Sequence, residues 1–323
     1  MAVFTHLGAE QLARLIAAYD VGALRSAKGI AEGVQNSNWL IETEGRDGTG
    51  SRFILTMYES RTEVSELPFF LGLMDHLSAH DCPVPATIHD RDGATHRVHE
   101  GKTVALIEFL PGVSVSEPTP AQALAVGKEL ARVHLAGADF ALARANTMGP
   151  QNWRELIARC PDGALAGIDP ALAALVAREL PELLAQWPAD LPRSVIHADL
   201  FPDNVLMLGE TVSGLIDFYF ACTDITAYDV AVTHAAWCFD GTGTRFDAAL
   251  SDALLTGYEN VRPLSAAERA AMPLLARGAA MRFLASRAHD WFHTAEDALV
   301  TRKDPMAFAR RLEFYCANPQ VFA

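Results

Sequence analysis

Hydrophobic and polar positions divide the chain into two parts that predict different secondary structure. Up to about residue 110, short runs of β-branched and aromatic residues alternate with turn-forming segments. Beyond Pro111-Gly112 the chain becomes rich in alanine, and its apolar positions follow helical spacing. The pattern therefore predicts an α+β protein with a small antiparallel sheet first and a larger, mainly helical part second.

The first part also contains helical segments. An amphipathic helix is predicted from about Ala9, and a hairpin is predicted from the runs 39–41 and 53–55. Ser65 is the expected N-cap of a second helix, with Pro68 in its first turn. Further strands are predicted at 87–89, 95–98 and 103–109.

The second part predicts a series of helices, interrupted by short strands around residues 195–217. The helices are expected at 120–137, 170–186, 228–239, 246–258, 266–276, 280–292 and 305–315. We accordingly predict an N-terminal lobe at 1–106, a hinge at 107–112 and a C-terminal lobe at 113–323.

Composition narrows the functional classes. The chain has 323 residues, is 50% hydrophobic and carries a net charge of −14, which argues against a nucleic-acid partner. Its five cysteines are scattered, as is typical of reduced thiols. No targeting segment or membrane span is recognisable, so a cytoplasmic location is expected, whereas the oligomeric state is not indicated.

The strongest chemical signal lies in the strand-rich insert. An apolar run leads to His197 and Asp199, Asn204 follows five residues later, and a second apolar run ends at Asp217. Phosphoryl transfer from ATP needs a carboxylate to accept the hydroxyl proton and oxygen ligands for magnesium. We therefore expect Asp199 to be the general base, Asn204 and Asp217 to hold Mg²⁺, and His197 to support the catalytic loop.

These residues also carry a family resemblance. The stretch 197–204 (HADLFPDN) resembles the HGDLHPxN signature of the aminoglycoside phosphotransferase and choline kinase superfamily, and 215–218 (LIDF) resembles its metal-binding segment. The resemblance implies the bilobal protein-kinase-like fold. The resemblance is closest to the homoserine kinases of this fold, and it is carried by the stretches 1–5, 66–71, 215–222, 262–265, 282–287 and 303–305. They imply an ATP-dependent kinase acting on the hydroxyl of L-homoserine, a step of threonine biosynthesis.

The resemblance also suggests the nucleotide site, with one departure. Thr56 stands where the superfamily usually has a strand lysine, so Glu66, the expected helix acid, lacks that partner. Phosphate neutralisation is then left to magnesium, to backbone N–H groups of the glycine-containing turn, or to another base such as Lys102 or Arg61. The residues expected to contact ATP are Gly33, Asn36, Ser37, Asn38, Thr56, Glu66 and, through a hinge that holds adenine, Glu108, Phe109 and Leu110.

The acceptor site is less defined. Arg282, in an apolar helix, is a candidate for binding the homoserine carboxylate, although an internal salt bridge is an equal alternative. Asp224 or Asp290 could bind the ammonium, and Tyr219 is a further candidate. Two other readings stay open: another acceptor such as choline, methylthioribose or an aminoglycoside, and a nucleotide-binding pseudokinase without activity.

Overall fold

The computed structural model describes residues 7–30, 36–59, 64–294 and 302–322. The chain forms two compact units, Met1–Pro111 and Gly112–Ala323. The division falls inside the segment 107–112 that the sequence suggests as a hinge. No helix within the described ranges is both long and apolar enough to cross a membrane.

The first unit is built on an antiparallel sheet of six strands in the order β1-β2-β3-β6-β4, with β5 also paired to β6. Its elements are α1 (Ala9–Ile16), β1 (Ala23–Ile30), β2 (Ser37–Glu44), β3 (Gly50–Tyr58), α2 (Leu67–Ala79), β4 (Thr87–Ile88), β5 (Arg97–His99) and β6 (Lys102–Glu108). Side chains on alternate positions of a strand point to opposite faces. One face of this sheet packs against the apolar side of α1 around Ile16, Trp39, Leu55, Met57 and Val104.

Two details of the first unit differ from the sequence-based expectations. Strand β1 was not predicted, because it is largely exposed and lacks the apolar alternation of a half-buried strand. Ser65 is not the N-cap of α2: it lies in a 3₁₀ turn, Val64–Glu66, that leads into the helix. Pro68 does occupy the first turn of α2, as predicted.

The second unit consists of helices around two small antiparallel sheets, β7 with β10 and β8 with β9. Its elements are α3 (Pro120–Ala136), α4 (Pro150–Ala158), α5 (Ala164–Ile168), α6 (Pro170–Gln186), β7 (Arg193–Ile196), β8 (Val205–Leu208), β9 (Thr211–Leu215), β10 (Cys222–Ile225), α7 (Thr226–Trp237), α8 (Ala248–Glu259), α9 (Ala266–His293) and α10 (Met306–Ala317). Helices α4 and α5 were not predicted. Every residue of α7 is buried, so this helix forms the centre of the unit.

The two helices predicted at 266–276 and 280–292 form one continuous helix, α9. Gly278 lies between the two predicted segments and serves close packing. A Cβ at that position would come 2.2 Å from a ring atom of Trp187 and 3.0 Å from one of Trp153. Glycine in a helix can thus mark close contact with a neighbouring side chain as well as a helix end.

Candidate active site

The loop between β7 and β8 carries three of the predicted functional residues. It begins with His197, turns at Ala198, whose φ of 63° is left-handed, and continues through Asp199 to the 3₁₀ turn Pro202–Asn204. Asp217, which follows β9, is also left-handed with a φ of 65°. Such backbone conformations cost about 1–3 kcal/mol outside glycine and cluster at functional sites.

Asp199, Asn204 and the segment before Asp217 are joined by hydrogen bonds. The Nδ2 of Asn204 donates to the Asp199 carbonyl oxygen at 2.8 Å and lies 3.4 Å from the Asp199 carboxylate. The backbone N–H of Ile216 donates to the Asn204 carbonyl at 3.0 Å. The structure therefore brings together the three positions that the sequence motif selects. Because the Nδ2 of Asn204 faces Asp199, its side-chain carbonyl oxygen is the atom that can coordinate a cation.

Helix α7 anchors this loop through Asp229, a residue to which the sequence analysis gave no role. Its two carboxylate oxygens accept the backbone N–H groups of His197 and Ala198, each at 2.7 Å. His134 lies 3.1 Å from the same carboxylate. Burial alone would raise the pKa of Asp229, but the hydrogen bond and charge of His134 hold it below the ordinary value. Asp229 therefore remains an anionic anchor for the loop.

His197 supports the loop from within. Its Nε2 lies 2.9 Å from the Ile216 carbonyl, and its Nδ1 accepts from the Asp199 backbone N–H at 3.3 Å. Burial lowers the pKa of His197, so the ring is neutral near pH 7. With both ring nitrogens engaged by backbone groups, the side chain ties the two segments that carry Asp199 and Asp217.

Arg282 of α9 lies beneath the catalytic loop. Only 1% of the residue is exposed. One guanidinium nitrogen donates to the Ala198 carbonyl oxygen, and the other lies 3.7 Å from an Asp199 carboxylate oxygen. The guanidinium also packs over the rings of Phe220 and Phe283. The structure thus places Arg282 in the internal ion pair that the sequence left as the alternative to carboxylate binding.

The electrostatics of the loop fit a divalent cation. Burial raises the pKa of Asp199, and the positive charges of Arg282 and Lys303 oppose that rise. Burial also raises the pKa of Asp217 to about 7, and the charges of Asp199 and Asp203 act in the same direction. Asp217 nevertheless remains accessible to solvent. Mutually repelling carboxylates beside an amide oxygen are a donor set that suits Mg²⁺.

The remaining acceptor candidates lie in different environments. Asp224 is buried in β10, where it accepts from Asn146 at 2.7 Å and pairs with Arg193 at 3.1 Å. It therefore has a structural role in the β7–β10 sheet. Tyr219 follows Asp217 directly, in the turn Phe218–Phe220. The side chain of Asp290, near the end of α9, is 70% exposed. These positions do not assign a ligand to Tyr219 or Asp290, and their roles in acceptor binding stay predictions.

The described nucleotide candidates lie in the first unit. Thr56 in β3 donates its hydroxyl to the Asn38 side chain at 2.8 Å, across the β2–β3 register. Ser37, the first residue of β2, and Asn36 directly before it are buried. The predicted residue Gly33 lies outside the described residues, as does Arg61. The hydroxyl of Thr56 is therefore engaged in a hydrogen bond within the sheet.

Lys102 does not lie on the same face of the sheet as Thr56. It shares its sheet face with Val104 and Met57, opposite to Thr56 and its partner Ala105. Its ammonium pairs with Glu59 at 2.5 Å. Lys102 thus belongs to the face that carries α1.

Glu66 and the hinge residues lie at, or directly after, the ends of secondary-structure elements of the first unit. Glu66 ends the 3₁₀ turn before α2 and is half-buried. The carboxylate of Glu108 accepts the Ala86 N–H at 3.2 Å, and the Glu108 N–H donates to the Ala86 carbonyl at 2.9 Å. The Phe109 ring lies 5.9 Å from the Arg52 guanidinium. Leu110 is half-buried beside it. Their contacts with adenine stay predictions.

Comparison with known proteins gives a consistent result. The family model described as "Phosphotransferase enzyme family" matches residues 26–264. A homoserine kinase of Xanthobacter autotrophicus is 49% identical over 317 residues, covering 98% of this chain and 97% of the relative. One of Acidiphilium cryptum is 50% identical over 315 residues, with the same coverage.

The fold is also found among solved structures. Amicoumacin kinase hAmiN, solved with AMP-PNP, Ca²⁺ and Ami, aligns with a TM-score of 0.71 at 16% identity, covering 96% of this chain and 94% of that one. The predicted α+β, protein-kinase-like fold is therefore confirmed. The chain belongs to the phosphotransferase enzyme family, in its homoserine kinase branch.

Proposed function

We propose that this protein transfers the γ-phosphoryl group of ATP to the side-chain hydroxyl of L-homoserine, and so serves threonine biosynthesis. The observation that carries the proposal is the convergence of Asp199, Asn204 and Asp217 in one loop system. The names of the relatives at about half identity over nearly the whole chain supply the acceptor. A cytoplasmic site of action agrees with five cysteines that are all free.

In this mechanism the acceptor hydroxyl approaches Asp199. Its oxygen forms a bond to the γ-phosphorus while the bond from that phosphorus to the ADP oxygen breaks, and the hydroxyl proton passes to the Asp199 carboxylate. Mg²⁺, when bound by Asn204 and Asp217, would neutralise charge on the phosphates. His197 and Asp229 keep the loop in place through its backbone. Arg282 opposes the rise in the Asp199 pKa caused by burial.

The test measures ADP release with MgATP and a panel of acceptors: L-homoserine, choline, methylthioribose and an aminoglycoside. We expect turnover with homoserine well above the rate without acceptor. Asp199→Asn should lower kcat by roughly 10²- to 10⁴-fold, the contribution of a general base, with little change in the KM for ATP. Asp162→Asn, an exposed carboxylate in the same unit, serves as the control. Preference for another acceptor, or no turnover at all, would refute the proposal.

A further inference from the structure

Two cations of the second unit lie close to the catalytic loop but have no role in the mechanism described above. They are arranged on an aromatic cluster formed by Phe201 of the loop, Phe283 of α9 and Phe308 of α10. The ring centroids of Phe201 and Phe283 are 4.9 Å apart, and those of Phe283 and Phe308 are 4.8 Å apart. The cluster therefore connects the loop that carries the base to the two C-terminal helices.

The first cation is Arg287 of α9. Its guanidinium lies 4.5 Å from the centroid of Phe308, and one of its nitrogens donates to the Asp304 backbone carbonyl at 3.2 Å. Burial lowers the pKa of Arg287 to about 10, against the opposing charges of Asp304, Asp199 and Asp203, so the group is charged at pH 7. Among the residues that the structure describes, no carboxylate lies within ion-pair distance of it. The guanidinium is held in place by Phe308, and one hydrogen bond, to Asp304, engages one of its five N–H donors.

The second cation is Lys303, in the segment before α10. It is exposed, and its ammonium lies 5.9 Å from the centroid of the Phe201 ring. The described parts of the chain place no carboxylate within ion-pair distance of this ammonium either. Lys303 is nevertheless close enough to Asp199 and Asp217 to lower the pKa of both carboxyls. A positive charge thus borders the site where the acceptor hydroxyl must lie.

Arg282 is unlike these two residues. It is buried, and its guanidinium is engaged by the Ala198 carbonyl and the Asp199 carboxylate. Its Nε has no hydrogen-bond partner among the described residues, but the residue is only 1% exposed, so an acceptor could not reach it without moving the loop. A ligand carboxylate is therefore better matched by the partly exposed guanidinium of Arg287 and the exposed ammonium of Lys303.

We propose that Arg287 and Lys303 bind the carboxylate of the acceptor. This inference rests on the proposed function, because it assumes an amino-acid acceptor. Arginine offers a planar fork that fits both oxygens of a carboxylate, while lysine adds a mobile point charge. The aromatic cluster holds both cations by cation–π contact without neutralising them. Asp203, exposed in the catalytic loop, supplies nearby negative charge for the ammonium of a zwitterion.

The test uses the full chain with MgATP and two acceptors that differ only in the carboxylate: L-homoserine and 3-aminopropan-1-ol. The variants are Arg287→Met, Arg287→Lys and Lys303→Met. Arg154→Met and Lys128→Met, exposed cations on α4 and α3, are the matched controls. For every variant kcat and KM are measured for both acceptors and for ATP, and folding is checked by thermal melting.

We expect Arg287→Met and Lys303→Met each to raise the homoserine KM by roughly 10- to 100-fold, the range for a lost charge-assisted hydrogen bond, with kcat within about threefold. Turnover of 3-aminopropan-1-ol and the KM for ATP should stay within about threefold. Arg287→Lys should fall between the wild type and Arg287→Met. Because Lys303 is exposed, its variant tests the site even if Arg287→Met fails to fold.

Other results would overturn the inference. An equal loss with both acceptors would mean that the cations support the loop, and a raised KM for ATP would mean that they contact phosphate. An unchanged homoserine KM would exclude them from the acceptor site. If the wild type itself does not phosphorylate homoserine, the proposed function fails, which is distinguishable from failure of this carboxylate site alone.

Discussion

Replacing Arg282 tests whether this buried cation supports the catalytic loop or binds substrate. In Arg282→Met the side chain keeps much of its length but loses the donor to the Ala198 carbonyl and the charge beside Asp199. A hydrogen bond that involves a charged group contributes about 1.5–3 kcal/mol. If that energy holds the left-handed turn in its active position, its loss lowers kcat by roughly 10- to 150-fold, since each 1.36 kcal/mol is a factor of ten.

The assay separates the two roles through kcat and KM. A residue that positions the base lowers kcat and leaves the homoserine KM within about threefold, whereas a residue that binds substrate raises KM with kcat unchanged. Arg282→Lys retains the charge and should recover part of the lost rate, although one ammonium cannot reproduce the fork. These constants are obtained from ADP release at saturating MgATP.

Arg277→Met on the same helix is the matched control. Arg277 pairs with Glu179 at 2.6 Å and with Glu182 at 3.1 Å, away from the loop. It should reduce the melting temperature without a comparable fall in kcat. If Arg282→Met instead raised the homoserine KM at least tenfold at unchanged kcat, the loop-support argument would be refuted and the substrate role restored.

Three further predictions follow from the same structure. Asp217→Ala should weaken the apparent affinity for Mg²⁺ by roughly 10²-fold or more in magnesium titrations of activity, because it removes one of the two proposed metal ligands; unchanged titration would exclude it as a ligand. Gly127→Ala should destabilise the fold by about 1–3 kcal/mol in urea unfolding, since its Cβ would lie 2.1 Å from the Leu254 carbonyl, whereas Gly167→Ala, with open space around it, should not. Burial lowers the pKa of His234 to about 3 from an ordinary 6.5. Between these values the unfolded chain binds a proton at His234 that the folded chain does not bind. The free energy of unfolding therefore falls as the pH drops below 6.5, by about 2 kcal/mol at pH 5. His234→Gln should remove this part of the pH dependence, and an unaltered dependence would contradict the assignment.

The meeting of the candidate residues in one loop system could be predicted because they are close together in sequence. Asp199 and Asn204 are five residues apart, and β8 and β9 form a hairpin that returns the chain to Asp217. The hairpin pairs Val205 with Leu215 and so brings Asp217 back to the end of the loop that carries Asn204. Strand β1 gave no such signal, because an exposed edge strand has no apolar alternation.

For Asp229 the sequence indicates that a partner must exist but does not identify it. A fully buried carboxylate in a helix of apolar residues is costly unless it is compensated, so its presence in α7 indicates a partner. Its partners are His134 and two backbone N–H groups of the loop. Those contacts join residues 31 to 95 positions apart, and a single sequence carries no information on which of the available donors they are.

The sequence likewise does not show which arginine of α9 supports the loop and which one binds the acceptor under our proposal. Arg282 and Arg287 are five residues apart, which places them on different sides of a helix with 3.6 residues per turn. Arg282 is therefore directed beneath the loop, where it contacts the Ala198 carbonyl and the Asp199 carboxylate, while Arg287 reaches Phe308 and is partly exposed. Sequence shows only that both arginines sit in an apolar helix. The direction of each side chain decides the function, because a guanidinium that is 1% exposed beneath the loop is out of reach of a substrate carboxylate, whereas a partly exposed one can meet it.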